Sequence, residues 1–182
     1  MAKAAGDSCN VSKLTMSPHI GTHADAPYHY DDAGDTMETA DLELYMGRAR
    51  VICIQRQGQR RLITADALRG HDLAGVTRLL VRTDSYLDHT RFDPEFSAFE
   101  PTAVDYMAGL GIQLVGVDTP SVDPADSRDL PAHERFRVHN IRILETLRLQ
   151  NVDCGDYELI ALPLRLQGSD ASPVRAVLRT LC

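Results

Sequence analysis

No tryptophan occurs among the 182 residues, and aromatic side chains make up only 5% of the chain. Its core must therefore be built mainly from aliphatic side chains, with few large rings to fill it. No apolar run approaches the roughly 20 residues needed to cross a bilayer, which excludes a membrane-spanning helix. The opening stretch Met1–Asp7 has no apolar segment, so no secretory leader is expected. Cysteine is sparse: Cys9, Cys53, Cys154 and Cys182 are scattered, with no CxxC pair. That pattern excludes a zinc ribbon and favours reduced, packing thiols in a cytoplasmic protein. Basic residues are outnumbered, 19 Lys and Arg against 26 Asp and Glu, for a formal net charge of −7. A chain so charged is a poor partner for nucleic acid, whose binding depends on neutralising phosphates. The run Gln57–Arg61 is too short to reverse this and reads as a solvated turn. There is no internal repeat and no low-complexity tract.

What the chain does have is concentrated in His19-Ile-Gly-Thr-His-Ala-Asp-Ala-Pro-Tyr-His29. Three histidines and an aspartate stand at odd positions within eleven residues. In extended backbone, side chains of one parity share a side, so His19, His23, Asp25 and His29 can face one centre. A helix cannot do this, because Asp25 falls off the face shared by His19 and His23 and Pro27 breaks the helix. A fully extended run also fails, since ten steps of roughly 3.3 Å carry His29 too far from His19. The segment must curl, with Gly21 allowing unusual backbone angles and Pro27 fixing a bend. Imidazoles with a carboxylate suit zinc or another borderline divalent metal.

Around this segment the sequence predicts a mixed α and β domain spanning residues 1–182, with a mixed sheet flanked by short helices. Strand-like runs rich in Val, Ile and Leu are Val11–Met16, Ala49–Gln55, Arg78–Thr83, Gln113–Val117, Tyr157–Leu166 and Ala176–Leu181. Within them, Leu159–Leu164 is apolar throughout and suggests a strand buried on both faces, with Pro163 near its end. Helices are expected at Thr64–Arg69, with Thr64 as cap and Gly70 as stop, at Pro101–Leu110 and at Pro131–Val138.

A metal loop needs partners elsewhere. His71 and His89 lie in polar, turn-like stretches and read as surface histidines. The loop Asp118-Thr-Pro-Ser-Val-Asp-Pro124 follows a strand and is dense in groups that make turns or line a site. His133 and His139 come next, then Glu145. Spacing alone does not choose His133 over His139, or Glu145 over Glu134 and Asp118.

Leu14–Tyr30 contains the pattern H-x-G-T-H-x-D-x-P-x-H. With Val117–Pro124, Ala132-His133, Ile143–Leu147, Gly155–Leu164 and Ala171–Arg179, it resembles the cyclase-like metal hydrolases, in particular their arylformamidase branch. The resemblance runs from about Val11 to Arg179. It implies a swivelling β/β/α-type fold and a pair of divalent cations, zinc or alternatively manganese. By position, His19, His23 and Asp25 match the ligands of one cation. Asp25, His133 and Glu145 match those of the other, with Asp25 bridging, and His29 matches a catalytic acid/base. The implied reaction is amide hydrolysis of a small aryl formamide, such as N-formylkynurenine, by a metal-activated water. The implied assembly is a homodimer or a larger homo-oligomer.

Thr22 and Asp118 read equally as groups that orient ligands through hydrogen bonds or as residues that bond their own turns. Two other readings share the metal loop: an amide or lactam hydrolase resembling isatin hydrolase, and a metal-binding relative that does not turn over. The latter is motivated by a departure from the family pattern, in which a strand, a Pro-rich turn and a substrate-contacting Trp precede this stretch. Their absence here implies an unpaired sheet edge and an open wall of the substrate pocket.

Overall fold

Thr64 shows how local sequence sets the first helix. Its hydroxyl accepts a hydrogen bond from the Ala67 amide at 3.1 Å, capping an end whose donors have no helical partner. In the computed structural model, which describes residues 1–55 and 62–181, the order is β1 (His23–Asp25), β2 (Met46–Cys53), β3 (Leu62–Ile63), α1 (Ala65–Arg69), β4 (Arg78–Arg82) and β5 (Ala98–Phe99). Then follow α2 (Pro101–Gly109), β6 (Leu114–Val117), α3 (Pro131–Val138), β7 (Arg142–Glu145), β8 (Gly155–Ile160), β9 (Ala171–Pro173) and β10 (Val177–Thr180). Short 3₁₀ turns fill the connections, one of them at Pro27–His29.

Eight strands form one mixed sheet in the order β10-β8-β2-β4-β6-β7-β1-β9. The strands β2, β4, β6 and β7 are mutually parallel, and β8 and β1 flank them antiparallel. The outermost strands, β9 and β10, are consecutive in sequence and joined only by residues 174–176. The four steps from Pro173 to Val177 reach only about 13–14 Å, so the sheet must curl until its ends come close.

Period-two alternation divides the core. Leu79, Val81, Val115, Val117 and Ile143 face the helices, packing on Leu68, Met107 and Phe136. Leu80, Leu114, Leu144 and Ala24 face the interior of the curl, with Tyr45, Val51 and Leu159. His23, Asp25 and Glu145 share the helical face with Ile143, because the register sets Asp25 opposite Ile143 and His23 opposite Glu145.

The mixed architecture expected from the sequence is present, and all three helices lie where expected. Several expectations are corrected. Val11–Met16 pairs with no strand among the described residues and is exposed, with Leu14 80% accessible. The segment has strand chemistry, but no described sheet edge takes it up. The run Leu159–Leu164 is a strand only to Ile160. Leu162 and Leu164 are exposed, because the chain leaves the sheet before Pro163, which has no amide to donate.

The cysteine expectation also changes. Cys53 and Cys154 are joined in a disulfide, their Cα atoms 6.1 Å apart across a sequence separation of 101. Pairing of β2 with β8 sets Val51 opposite Gly155, which brings these distant cysteines together. Cys9 is free and exposed. Gln57–Arg61 and Cys182 lie outside the described residues. No helix among the described residues is long and apolar enough to cross a membrane.

Candidate metal centre

The histidine-rich segment curls as its sequence requires. Gly21 sits at φ 64°, in the left-handed region that glycine enters without strain. The chain then runs as β1, which puts His23 and Asp25 on one face and Ala24 on the other. At Pro27 it turns into the 3₁₀ turn that carries His29. Gly34 makes that turn possible by close approach: a Cβ there would lie 2.5 Å from the Pro27 carbonyl carbon. The sequence reading took this segment for a loop and missed β1. A three-residue strand has too little pattern to register.

Two other elements complete the cluster. Glu145 ends β7 directly across from His23, with Oε2 3.3 Å from His23 Nε2. His133 lies in the first turn of α3 and points Nε2 at Asp25 Oδ2, 3.6 Å away, and at Glu145 Oε1, 3.7 Å away. His19 Nδ1 and His23 Nε2 stand 3.3 and 3.4 Å from Asp25 Oδ1. All six residues singled out in the sequence therefore converge, including His29, whose ring lies 4.1 Å from that of His19 and 5.8 Å from that of His133. Of the alternatives left open by spacing, His139 and Glu134 are elsewhere. His139 pairs with Asp105 at 2.7 Å, and Glu134 with Arg137.

Hydrogen bonds settle which ring nitrogens point inward. His23 Nδ1 donates to the Gly21 carbonyl at 2.8 Å, and His133 Nδ1 donates to Asp123 Oδ2 at 2.8 Å. Each leaves Nε2 turned to the carboxylates. Such outer partners orient metal-binding imidazoles. Asp123 also accepts from the amides of Ala132 and His133, capping α3, so one carboxylate sets both the helix and the ring. Glu145 Oε1 is held by the Val122 amide at 2.8 Å.

Behind the site, Thr22 Oγ1 donates to the Thr146 carbonyl at 2.7 Å, tying β1 to β7 next to His23 and Glu145. Thr146 has φ 54°, a conformation that costs a β-branched residue about 1–3 kcal/mol. Its amide bonds the Thr119 carbonyl, which helps hold the strained turn.

Thr22 thus bonds backbone beside the site and not a ligand itself, and Asp118 serves another loop. Its carboxylate accepts from the Thr83 amide, the Thr83 hydroxyl and the Asp84 amide, fixing the loop after β4. The sequence placed both Asp118 and Asp123 in one turn-rich loop and gave no signal to separate them. Asp170 was missed altogether. It stands 151 residues from His19, yet its Oδ2 accepts from His19 Nε2 at 2.9 Å and lies 3.5 Å from His29 Nδ1.

The donors fit a divalent metal. His23 Nε2, His133 Nε2 and both Asp25 oxygens are buried without a hydrogen-bond partner. Each such atom costs about 1–3 kcal/mol when left unsatisfied, and four in one place call for a cation. The groups His19–His23–Asp25 and Asp25–His29–His133 each bring their ligand atoms within 4.8 Å of one another.

Electrostatics agree. Burial by itself lowers His23 and His133, but the carboxylates of Asp25 and Glu145, with Asp123 for His133, outweigh it and hold both rings up to about 10. Asp25 is driven the other way. Burial raises it, yet the rings of His133, His19 and His23, 3.3–3.6 Å away, keep it well below the usual carboxylate range. Burial raises Glu145, and the charge of Asp25 raises it further. The site demands positive charge, which protons supply in the absence of a metal.

The putative cyclase family model matches residues 3–124. The chain belongs to this family. Kynurenine formamidase from Bordetella pertussis is 49% identical over 173 residues, covering 94% of this chain and 81% of the relative. Among solved structures, a potential metal-dependent hydrolase with cyclase activity superposes with a TM-score of 0.83 at 31% identity, covering 91% of this chain and 81% of the other. Isatin hydrolase A from Labrenzia aggregata, at 22% identity and a TM-score of 0.78, covers 93% of this chain and 76% of its own, and shares the fold.

Proposed function

We propose that this chain hydrolyses N-formyl-L-kynurenine to L-kynurenine and formate, with two zinc ions held by His19, His23, Asp25, His133 and Glu145. Amide hydrolysis as such follows from 49% identity to a kynurenine formamidase across nearly the whole chain. The observation that carries the finer reading is the convergence of three imidazole nitrogens and two buried carboxylates, with Asp25 in the middle. Its Oδ1 faces His19 and His23, and its Oδ2 faces His133, so each oxygen serves a different set of donors. That is the arrangement a bridging carboxylate requires.

Divalent cations bound there would polarise a carbonyl and make water acidic enough to react near neutral pH. The protein's own groups do the rest. Asp25 stays ionised, and Glu145 is locked against the Val122 amide, so the donor set is preorganised. His29 sits at the rim with its side chain 31% accessible, beside His19 and His133, within reach of a departing amine nitrogen. An imidazole there can give that nitrogen its proton. Tyr30, its ring 5.2 Å from that of His133, offers an aromatic wall beside it.

A homodimer belongs to the same proposal. It is supported by the exposed apolar side chains of Val11, Leu14, Met16 and Ile20, which a second copy would cover. Residues 1–182 are read as one catalytic domain.

The test is hydrolysis of N-formylkynurenine by zinc-loaded protein, run beside isatin. Release of kynurenine and formate with isatin untouched supports the proposal. Turnover of isatin with no attack on the formamide would replace it with lactam hydrolysis.

A further inference from the structure

We propose that Asp170 is a positioning residue for both halves of the centre, fixing the proton on His19 and steering the ring of His29. This rests on the two-cation reading above.

Asp170 lies just before β9 and is tied to the histidine-rich segment through its backbone. The Ala26 amide, next to Asp25, donates to the Asp170 carbonyl at 2.9 Å, and the Met37 amide donates to the Ser169 carbonyl at 2.9 Å. Its carboxylate is therefore carried on backbone that moves with β1. One oxygen, Oδ2, meets both rings: 2.9 Å from His19 Nε2 and 3.5 Å from His29 Nδ1. The two rings lie 4.1 Å apart, centroid to centroid.

A carboxylate accepts and does not donate, so His19 must present Nε2–H to it. The lone pair of His19 then belongs to Nδ1, the atom 3.3 Å from Asp25 Oδ1. Asp25, on the Nδ1 side, would share the cation, so among the described residues Asp170 is the one side chain hydrogen-bonded to the ring that reserves Nδ1 for it. The His19 amide contact to the Ser17 hydroxyl involves only backbone. Asp170 thus does for His19 what Asp123 does for His133 and the Gly21 carbonyl does for His23. Each ring has one nitrogen tethered and the other turned to the carboxylates, and without Asp170 only His19 would lack its tether.

Toward His29 the contact is longer than a hydrogen bond. It biases the ring toward the cluster and leaves it able to turn. A surface ion pair of this exposure, with the Asp170 side chain 38% accessible, contributes little to stability. A purely structural role therefore predicts almost no effect on metal binding.

The experiment measures stepwise zinc affinity by competition with a chromophoric chelator, together with kcat and KM on N-formylkynurenine. It compares wild type, Asp170→Ala and Asp170→Asn. Losing an outer partner of a metal-binding histidine typically weakens binding about 10–100-fold. Asp170→Ala should weaken one zinc step by that factor, leave the other unchanged, and lower kcat more than KM. Asp170→Asn keeps an oxygen that accepts from Nε2–H, so it should recover most of the zinc affinity while kcat stays depressed. Two unchanged zinc steps in Asp170→Ala would overturn the assignment. So would equal zinc losses in both variants accompanied by a lower Tm, which would mark a residue needed only for folding. Wild type that binds no zinc would sink the two-cation reading itself. Wild type that binds zinc and cleaves the formamide, with Asp170→Ala indistinguishable from it, would sink only the role of Asp170.

Discussion

His23 and Glu145 are direct cross-strand partners, one on β1 and the other at the end of β7, and their side chains meet at 3.3 Å. The centre is therefore built into the ladder of the sheet. A slip of β1 by one residue would send His23 and Asp25 to the opposite face, away from Glu145.

Thr22 is the first test of that arrangement. Thr22→Val removes the hydroxyl that bonds the Thr146 carbonyl behind the pair. A lost hydrogen bond of this kind costs about 0.5–1.5 kcal/mol. For a domain of this size that lowers Tm by roughly 1–6 °C. Thermal melts should show this drop together with weaker zinc retention. Unchanged Tm and zinc content would mean the tie does not position the strands.

Asp123→Asn probes the other wall. The amide's single oxygen can serve either the Ala132 amide or His133, so the other side meets an NH2 donor and one of the two ties is lost. Zinc affinity should fall about 10–100-fold with the helix retained by circular dichroism. Full affinity would show that His133 needs no such partner.

His29→Ala should separate chemistry from binding. Removing a general acid/base costs about 10²–10⁴ in rate, while near-normal zinc content should persist. The loss should be smaller on esters with good leaving groups, which need less proton donation. Equal losses on amide and activated ester, with zinc lost as well, would make His29 a ligand.

The raised histidines give a pH signature. In cation-free protein, His23 and His133 rise from 6.5 to about 10. Their contribution to stability is full below 6.5 and is lost as pH rises through about 10. Zinc displaces those protons, so its stabilising effect should grow over the same window. The Tm gap between zinc-loaded and chelator-treated protein should widen from about pH 6 to about pH 9. A gap that narrows would contradict this.

Much of this centre was legible in the sequence. Odd-position parity and the Gly21 and Pro27 bends put four of its side chains in eleven residues, and the structure bears out both bends. Helices were legible where caps and stops were strong, as at Thr64 and Pro101. His133 and Glu145 were not separable by spacing from His139 and Glu134, because tertiary contacts alone decide which faces Asp25. Asp170 carried no local signal, since its partners lie at the other end of the chain. The Cys53–Cys154 disulfide was hidden for the same reason: only the β2–β8 register brings the two together.

Elemental analysis of wild type and Asp25→Ala, purified in parallel and dialysed against zinc at neutral pH, tests the central claim most directly. Asp25 lies between His19 and His23 on one side and His133 on the other, so the account predicts close to two zinc ions per wild-type chain and almost none in Asp25→Ala. Wild type holding less than half an equivalent, or Asp25→Ala keeping wild-type zinc, would contradict it.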